Sequence, residues 1–172
     1  MVGTQEGRIS SGTAVSGKEQ TSLDPPAQPI SGYKPMTNQV QINAASAVEQ
    51  LQSRAGGRLD YSPASLQAVE EMLAEAATQS LKPQACEALV ELLGCYILEV
   101  GFREFGGKWS WYEKGAQPVL IVGEPEFHVA MMSFDKVRGR LSGDVGDNIP
   151  FFYAGFSERA RSAEPGVRAS YV

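Results

Sequence analysis

Leu92-Leu93-Gly94-Cys95-Tyr96-Ile97-Leu98-Glu99-Val100-Gly101-Phe102-Arg103-Glu104-Phe105-Gly106-Gly107 is the stretch on which the fold turns. Up to Phe102 nearly every position is apolar, so no face is left for water. A helix apolar on every side is normally buried on every side, and the stretch therefore predicts a central helix enclosed by other elements. Gly94 and Gly101, seven residues apart, share one face and leave room there for a close neighbour. The longest apolar run, Leu92 to Val100, is too short to span a bilayer and is interrupted by Glu99. That glutamate is the anomaly, because a buried carboxylate needs a partner. Arg103, one turn later, is the natural i,i+4 partner. A structural ion pair is thus the first reading of Glu99, and a functional carboxylate the second.

Working outward, Lys82-Pro83 opens this helix, with Glu87 and Glu91 on one face and Leu89, Leu92 and Leu93 on the other. Ser62-Pro63 starts the helix before it, since serine caps and proline suits the first helical position. Leu66, Val69, Met72, Leu73 and Ala76 then recur at helical spacing to about Gln79. Residues 37–58 read as a weak helix and linker that Gly56-Gly57 would stop. Residues 1–36, rich in Ser, Thr, Gly, Gln and Pro, read as a disordered polar arm. Past Gly106-Gly107 the period changes to two: Trp109 and Trp111 fall on one face of a strand, Ser110 and Tyr112 on the other. Pro118 to Val122 and Glu126 to Val129 follow as strands, divided by turns at Lys114-Gly115 and Gly123-Glu124-Pro125. Ser133 is positioned to cap a short helix through Val137 and Leu141. Asp147 or Asn148 is positioned to cap a last one containing Phe151, Phe152 and Phe156. The expectation is one α+β domain over residues 59–163, followed by a loose tail at 164–172. Two N-terminal helices pack on a three-stranded antiparallel meander, and two short C-terminal helices come after it.

The formal charge of the 172 residues is −5, with no overall basic footprint of the kind nucleic-acid binders show. The charge is uneven. Glu70, Glu71, Glu75, Glu87, Glu91, Glu99 and Glu104 crowd one region, and Lys136, Arg138, Arg140, Arg159, Arg161 and Arg168 lie in another. The plain reading is that the two regions face each other or solvate separate faces. Cys86 and Cys95, nine residues apart on one helix, are separated by about 13 Å of rise, beyond disulfide reach. Two buried, reduced thiols are expected. The opening Met1-Val2-Gly3-Thr4 has no basic and apolar leader pattern, which points to a cytoplasmic protein.

Between Leu93 and Phe156 several short elements recur in a recognisable order: Leu93-Gly94, Glu99, Gly106-Gly107-Lys108-Trp109, the strands, Phe134 with Lys136-Val137, and Phe152-Tyr153 after Gly146-Asp147. This order resembles a family of small uncharacterised bacterial proteins, a domain of unknown function. The resemblance implies a bacterial origin and a stand-alone accessory role, and it implies no activity. One position departs from the family pattern: Leu98 stands where the pattern has glycine before the glutamate.

Chemistry is sparse. The single histidine, His128, lies in a strand and needs a positioned partner for acid–base work. Glu124 and Glu126 flank Pro125 in a turn. The i,i+4 pairs Glu71/Glu75 and Glu87/Glu91 lack the Glu-x-x-His partners of a di-metal bundle and read as solvated faces. Gly143 to Asn148 lacks the EF-hand order. No nucleophile elbow, phosphate loop, dinucleotide fingerprint or zinc motif occurs. Trp109, Trp111 and Tyr112 could form an aromatic recognition surface, although paired tryptophans more often serve packing. The candidate binding residues are therefore Glu99, Trp109, Trp111, Glu124, Glu126 and His128, with no catalytic residue, metal or cofactor assigned. The expectation is a non-enzymatic domain that binds another protein, for example an immunity-type or regulatory partner, with no nucleic acid and no membrane. One alternative is a small-ligand protein or hydrolase-like enzyme using Glu99 and His128. Another is an exported substrate whose signal lies in residues 1–36.

Overall fold

The computed structural model describes residues 36–172. In chain order the elements are α1 (Met36–Leu51), α2 (Leu66–Ala77), α3 (Pro83–Phe105), β1 (Lys108–Tyr112), β2 (Gln117–Val122), β3 (His128–Met131), α4 (Phe134–Leu141), α5 (Ile149–Ser162) and β4 (Arg168–Tyr171). The polar arm expected over 1–36, and any signal within it, lies outside the described residues apart from Met36.

The α3 helix is enclosed as its composition requires. Val90 and every residue from Leu93 to Gly101 are buried, with α1, α4 and β2 packed around them. Both glycines act as contact points. A Cβ on Gly94 would sit 2.4 Å from Cδ1 of Phe134, at the start of α4. One on Gly101 would sit 2.7 Å from the Met131 methyl and 3.0 Å from Leu120 Cδ2. Leu98, the departure from the family pattern, is fully buried in the main core.

The sheet has four strands in the order β1-β2-β3-β4 rather than three. The first two pairings are antiparallel, whereas β4 runs parallel to β3. The extra strand comes from the segment expected to be a loose tail. Its Arg168 and Ser170 hide the pattern, since an edge strand needs only its inward residues to be apolar. The backbone of β3 holds it: His128 N–H donates to Val167 O and Met132 N–H donates to Tyr171 O, both at 2.8 Å. The third strand spans His128–Met131, so Glu126 falls in the preceding turn rather than at the start of a strand. The helices also depart from the expected pattern. Two helices do follow the third strand, but α1 is a full 16-residue helix rather than a weak one and α5 runs 14 residues rather than being short.

Trp109, Leu120, Met131 and Tyr171 pair across all four strands and form the core-facing row. Phe102 of α3 packs on Trp109, ring centroids 5.2 Å apart, and Phe156 of α5 meets Tyr171 at 6.2 Å. Val119, Ile121, Ala130 and Met132 form a smaller apolar cluster on the opposite face. Two expected caps are present: Ser62 Oγ accepts from Ser65 N–H at 3.2 Å and Asn148 Oδ1 from Phe151 N–H at 2.9 Å. Ser133 does not cap α4. Its hydroxyl donates to the Gly94 carbonyl at 2.9 Å and so pins α4 to the centre of α3.

The acidic and basic regions do meet. Glu70 of α2 accepts from Arg140 Nε of α4 at 2.6 Å and from the Ile149 N–H that begins α5 at 3.0 Å. Glu87 pairs with Arg138 and Glu104 with Arg161. Glu70 is 8% exposed, so its ion pair is largely shielded from solvent and joins three helices at one carboxylate.

Two substitutions test these contacts by chemical denaturation. Gly94→Ala is expected to cost about 1–3 kcal/mol, because overpacking against a buried ring exceeds the helix-propensity gain. Gly101→Ala should cost less, since a flexible methionine methyl is its nearest obstacle. Equal costs would contradict the role given to Phe134. Glu70→Ala should lose about 3–5 kcal/mol by leaving Arg140 buried without a counter-charge. Glu70→Ala combined with Arg140→Met should recover part of that loss.

Candidate functional site

The residues singled out from sequence fall in separate places. Glu99 lies within the core, 3% exposed, and its Oε1 accepts from Arg103 Nε at 2.7 Å. The Arg103 guanidinium lies 3.6 Å above the Tyr61 ring, which stacks on Tyr96 at 5.1 Å. The Tyr96 hydroxyl in turn meets Ser65 Oγ at 2.7 Å and accepts from the Tyr61 N–H at 2.9 Å. Burial raises both tyrosines above their ordinary range. The ion pair read from the i,i+4 spacing is therefore present, and it braces the turn before α2 against α3. Glu99 Oε2 and Trp109 Nε1 are buried without a hydrogen-bond partner.

Glu124 and His128 come together where the turn after β2 leads into β3. His128 Nδ1 lies 2.7 Å from Glu124 Oε1, and Lys108 pairs with the same carboxylate. The Lys108 contact first, and His128 second, hold Glu124 below the usual carboxylate range. Glu126 lies nearby in the turn and shares a shallow cleft of about 260 Å³ with His128 and Arg168. His128 belongs to the same strand face as Ala130, away from the helices. The sheet thus separates it from Glu99, and the structure does not bring the two together.

The two tryptophans also part, although they share a strand face. Trp109 is covered by Phe102, whereas Trp111 sits at the end of β1 and is 43% exposed. It overlooks a cleft of about 600 Å³, which sequence reasoning missed because its walls come from four distant segments. Val40 of α1, Ala88 of α3, Pro118 of β2 and Phe134 of α4 supply apolar surface beside Trp111. Glu87, Glu91, Asn43 and Arg138 supply polar groups. Arg138 is committed to Glu87 at 3.2 Å and to Asp135 at 3.0 Å. Among the described residues Glu91 Oε1 accepts only from the neutral Asn43 amide, at 2.8 Å. The sequence offered only the aromatic pair itself: the period of two placed Trp109 and Trp111 on one strand face, and the structure leaves just the second of them open.

Among the described residues no group of three or more His, Cys, Asp or Glu side chains is placed to hold a metal ion. No helix among them is long and apolar enough to cross a membrane. The chain matches no family model, no curated protein and no solved structure.

Cys95 lies at the base of the cleft, 2% exposed, and burial pushes its thiol up to about 12. Cys86, expected to be buried, is instead partly exposed, because it lies in the first turn of α3, ahead of the enclosed part that begins at Val90. In the folded protein at pH 8, a disulfide reagent should therefore titrate Cys86 quickly and Cys95 only on unfolding. The unfolded Cys95 thiol ionises first, near its ordinary 9.0. Stability should consequently fall as pH rises from that value toward about 12. Cys95→Ala should flatten that limb of the stability profile. Two thiols reacting equally fast at pH 8 would contradict the burial of Cys95.

Proposed function

We propose that this is a non-enzymatic protein-binding domain, and that it docks a segment of its partner in the Trp111 cleft. The observation that carries the reading is the large half-open indole of Trp111 standing over an apolar cleft of about 600 Å³. Exposed tryptophan beside a concave apolar wall is the composition of an interface hot spot. The volume lies in the range of ordinary recognition pockets. An acidic chain with glutamates at the cleft also favours rapid encounter with a basic partner. A regulatory or immunity-type role, in which one protein occupies a surface of another, fits a small domain of this kind. So does the accessory role implied by the resemblance over residues 93–156.

The enzymatic alternative needs Glu99 and His128 around one substrate. The buried Glu99 carboxylate is instead engaged by the half-exposed Arg103, and His128 shares the strand face of Ala130, on the other side of the sheet. The exported-substrate alternative depends on residues 1–36 and draws no support from the described fold.

Panning the full chain against a displayed library of random peptides tests the proposal directly. Peptides should be enriched that bind the wild type, and Trp111→Ser should weaken them about 30-fold, the cost of losing a hot-spot side chain of about 2 kcal/mol. His128→Ala should leave them unchanged. Enriched peptides indifferent to Trp111 would overturn the site. No enriched peptide, together with a small molecule that stabilises the wild type and not Trp111→Ser, would replace the reading with a small-ligand one.

A further inference from the structure

Resting on that reading, we propose that the cleft recognises a cationic side chain, arginine or lysine, presented by the partner, with Trp111 as its aromatic platform and Glu91 as its counter-charge. The argument begins with which charges in the cleft are already satisfied. Arg138 is the cleft's own cation, and it is held on two sides by Glu87 and Asp135. Those contacts raise its guanidinium further, Glu87 contributing most, so it stays charged and committed. Glu87 spends both carboxylate oxygens on Arg138, at 3.5 and 3.2 Å. Glu91 differs from both. Among the described residues its carboxylate is met only by the Asn43 amide on Oε1, which orients it without neutralising it.

That orientation is itself supported on both sides. Asn43 Oδ1 accepts from Gln39 Nε2 at 2.9 Å, so the amide that donates to Glu91 is held in turn by the preceding turn of α1. A carboxylate held in place beside apolar surface, with no cationic partner among the described residues, is a prepared site for a positive group. The aromatic side of the cleft complements it. Cations are attracted to the face of an indole, and the attraction strengthens as water is excluded. Lysine and arginine also carry aliphatic stems, which suit a wall made of Val40, Ala88 and Pro118. A purely apolar anchor would fill the same wall but would leave the Glu91 carboxylate partly desolvated and without a counter-charge. Charge complementarity therefore selects a basic anchor over an aliphatic one.

The test uses the peptides that bind wild-type protein in the panning above, measured by titration calorimetry at two salt concentrations. Binding peptides should contain a required Arg or Lys. Replacing an Arg by citrulline, or a Lys by norleucine, should weaken binding about 10-fold or more. Glu91→Gln preserves the shape and the Asn43 contact, so it should weaken the cationic peptide by a similar factor. It should hardly affect the neutral peptide, giving a clear coupling in the double-mutant cycle. Trp111→Ser should weaken both forms, and added salt should weaken only the cationic one. Peptides that need Trp111 yet tolerate loss of every basic residue, with Glu91→Gln silent, would overturn this inference and leave the protein-binding reading intact. Absence of any Trp111-dependent peptide would overturn both.

Discussion

The complete burial of α3 is the constraint from which the rest of the structure follows. Twenty-three residues long and buried on every side through its middle, this helix cannot be satisfied by a single neighbour. The fold gives it α1 on one flank, α4 across Gly94, and the sheet against Gly101 and Phe102. The two glycines decide how close those neighbours come. Where they stand, a ring and a methionine methyl occupy space that any Cβ would contest. The Ser133 hydroxyl then bonds the Gly94 carbonyl, so the tightest point of packing is also fixed by direction.

Once α3 is enclosed, the charged residues are sorted by the helices that enclose it. The acidic side chains of α2 and α3 meet the basic ones of α4 and α5 at Glu70, Glu87 and Glu104. These contacts differ in consequence. The Glu70 pair is shielded and its carboxylate also receives the first N–H of α5, so losing one partner strands the others. The Glu87 and Glu104 pairs each include an arginine well exposed to solvent, and such pairs contribute little to stability. Three of the seven acidic and three of the six basic residues of the two regions are thus paired with each other across neighbouring helices. Glu91 stands apart because α1, rather than a basic helix, lies beside it and offers an amide.

The cleft arises from the same arrangement. The α1 helix covers one flank of α3, and the β1–β2 hairpin reaches past the end of the core, leaving a gap between them above Cys95. Trp111 is the last core-side aromatic of β1 and finds that gap instead of a helix. Trp109, two residues earlier on the same face, finds Phe102. One strand face thus carries an indole covered by Phe102 and another left half open.

Much of this was legible in the residues themselves. The all-round apolarity of Leu92 to Phe102 requires burial whatever surrounds it, and the Glu99–Arg103 pair follows from helical spacing alone. The Ser62 and Asn148 caps and the shared face of Trp109 and Trp111 are likewise local, set by backbone geometry within a few residues. What the linear chain could not reveal depends on distant segments meeting. Residues 168–171 become a strand only because the β3 backbone offers an unpaired edge, and Glu70 becomes a joint only because Arg140 and Ile149 arrive beside it. The cleft needs α1, α3, the hairpin and α4 together. Hydrogen-bond complementarity and cavity shape belong to pairs of surfaces, and no single stretch of sequence carries both members of such a pair.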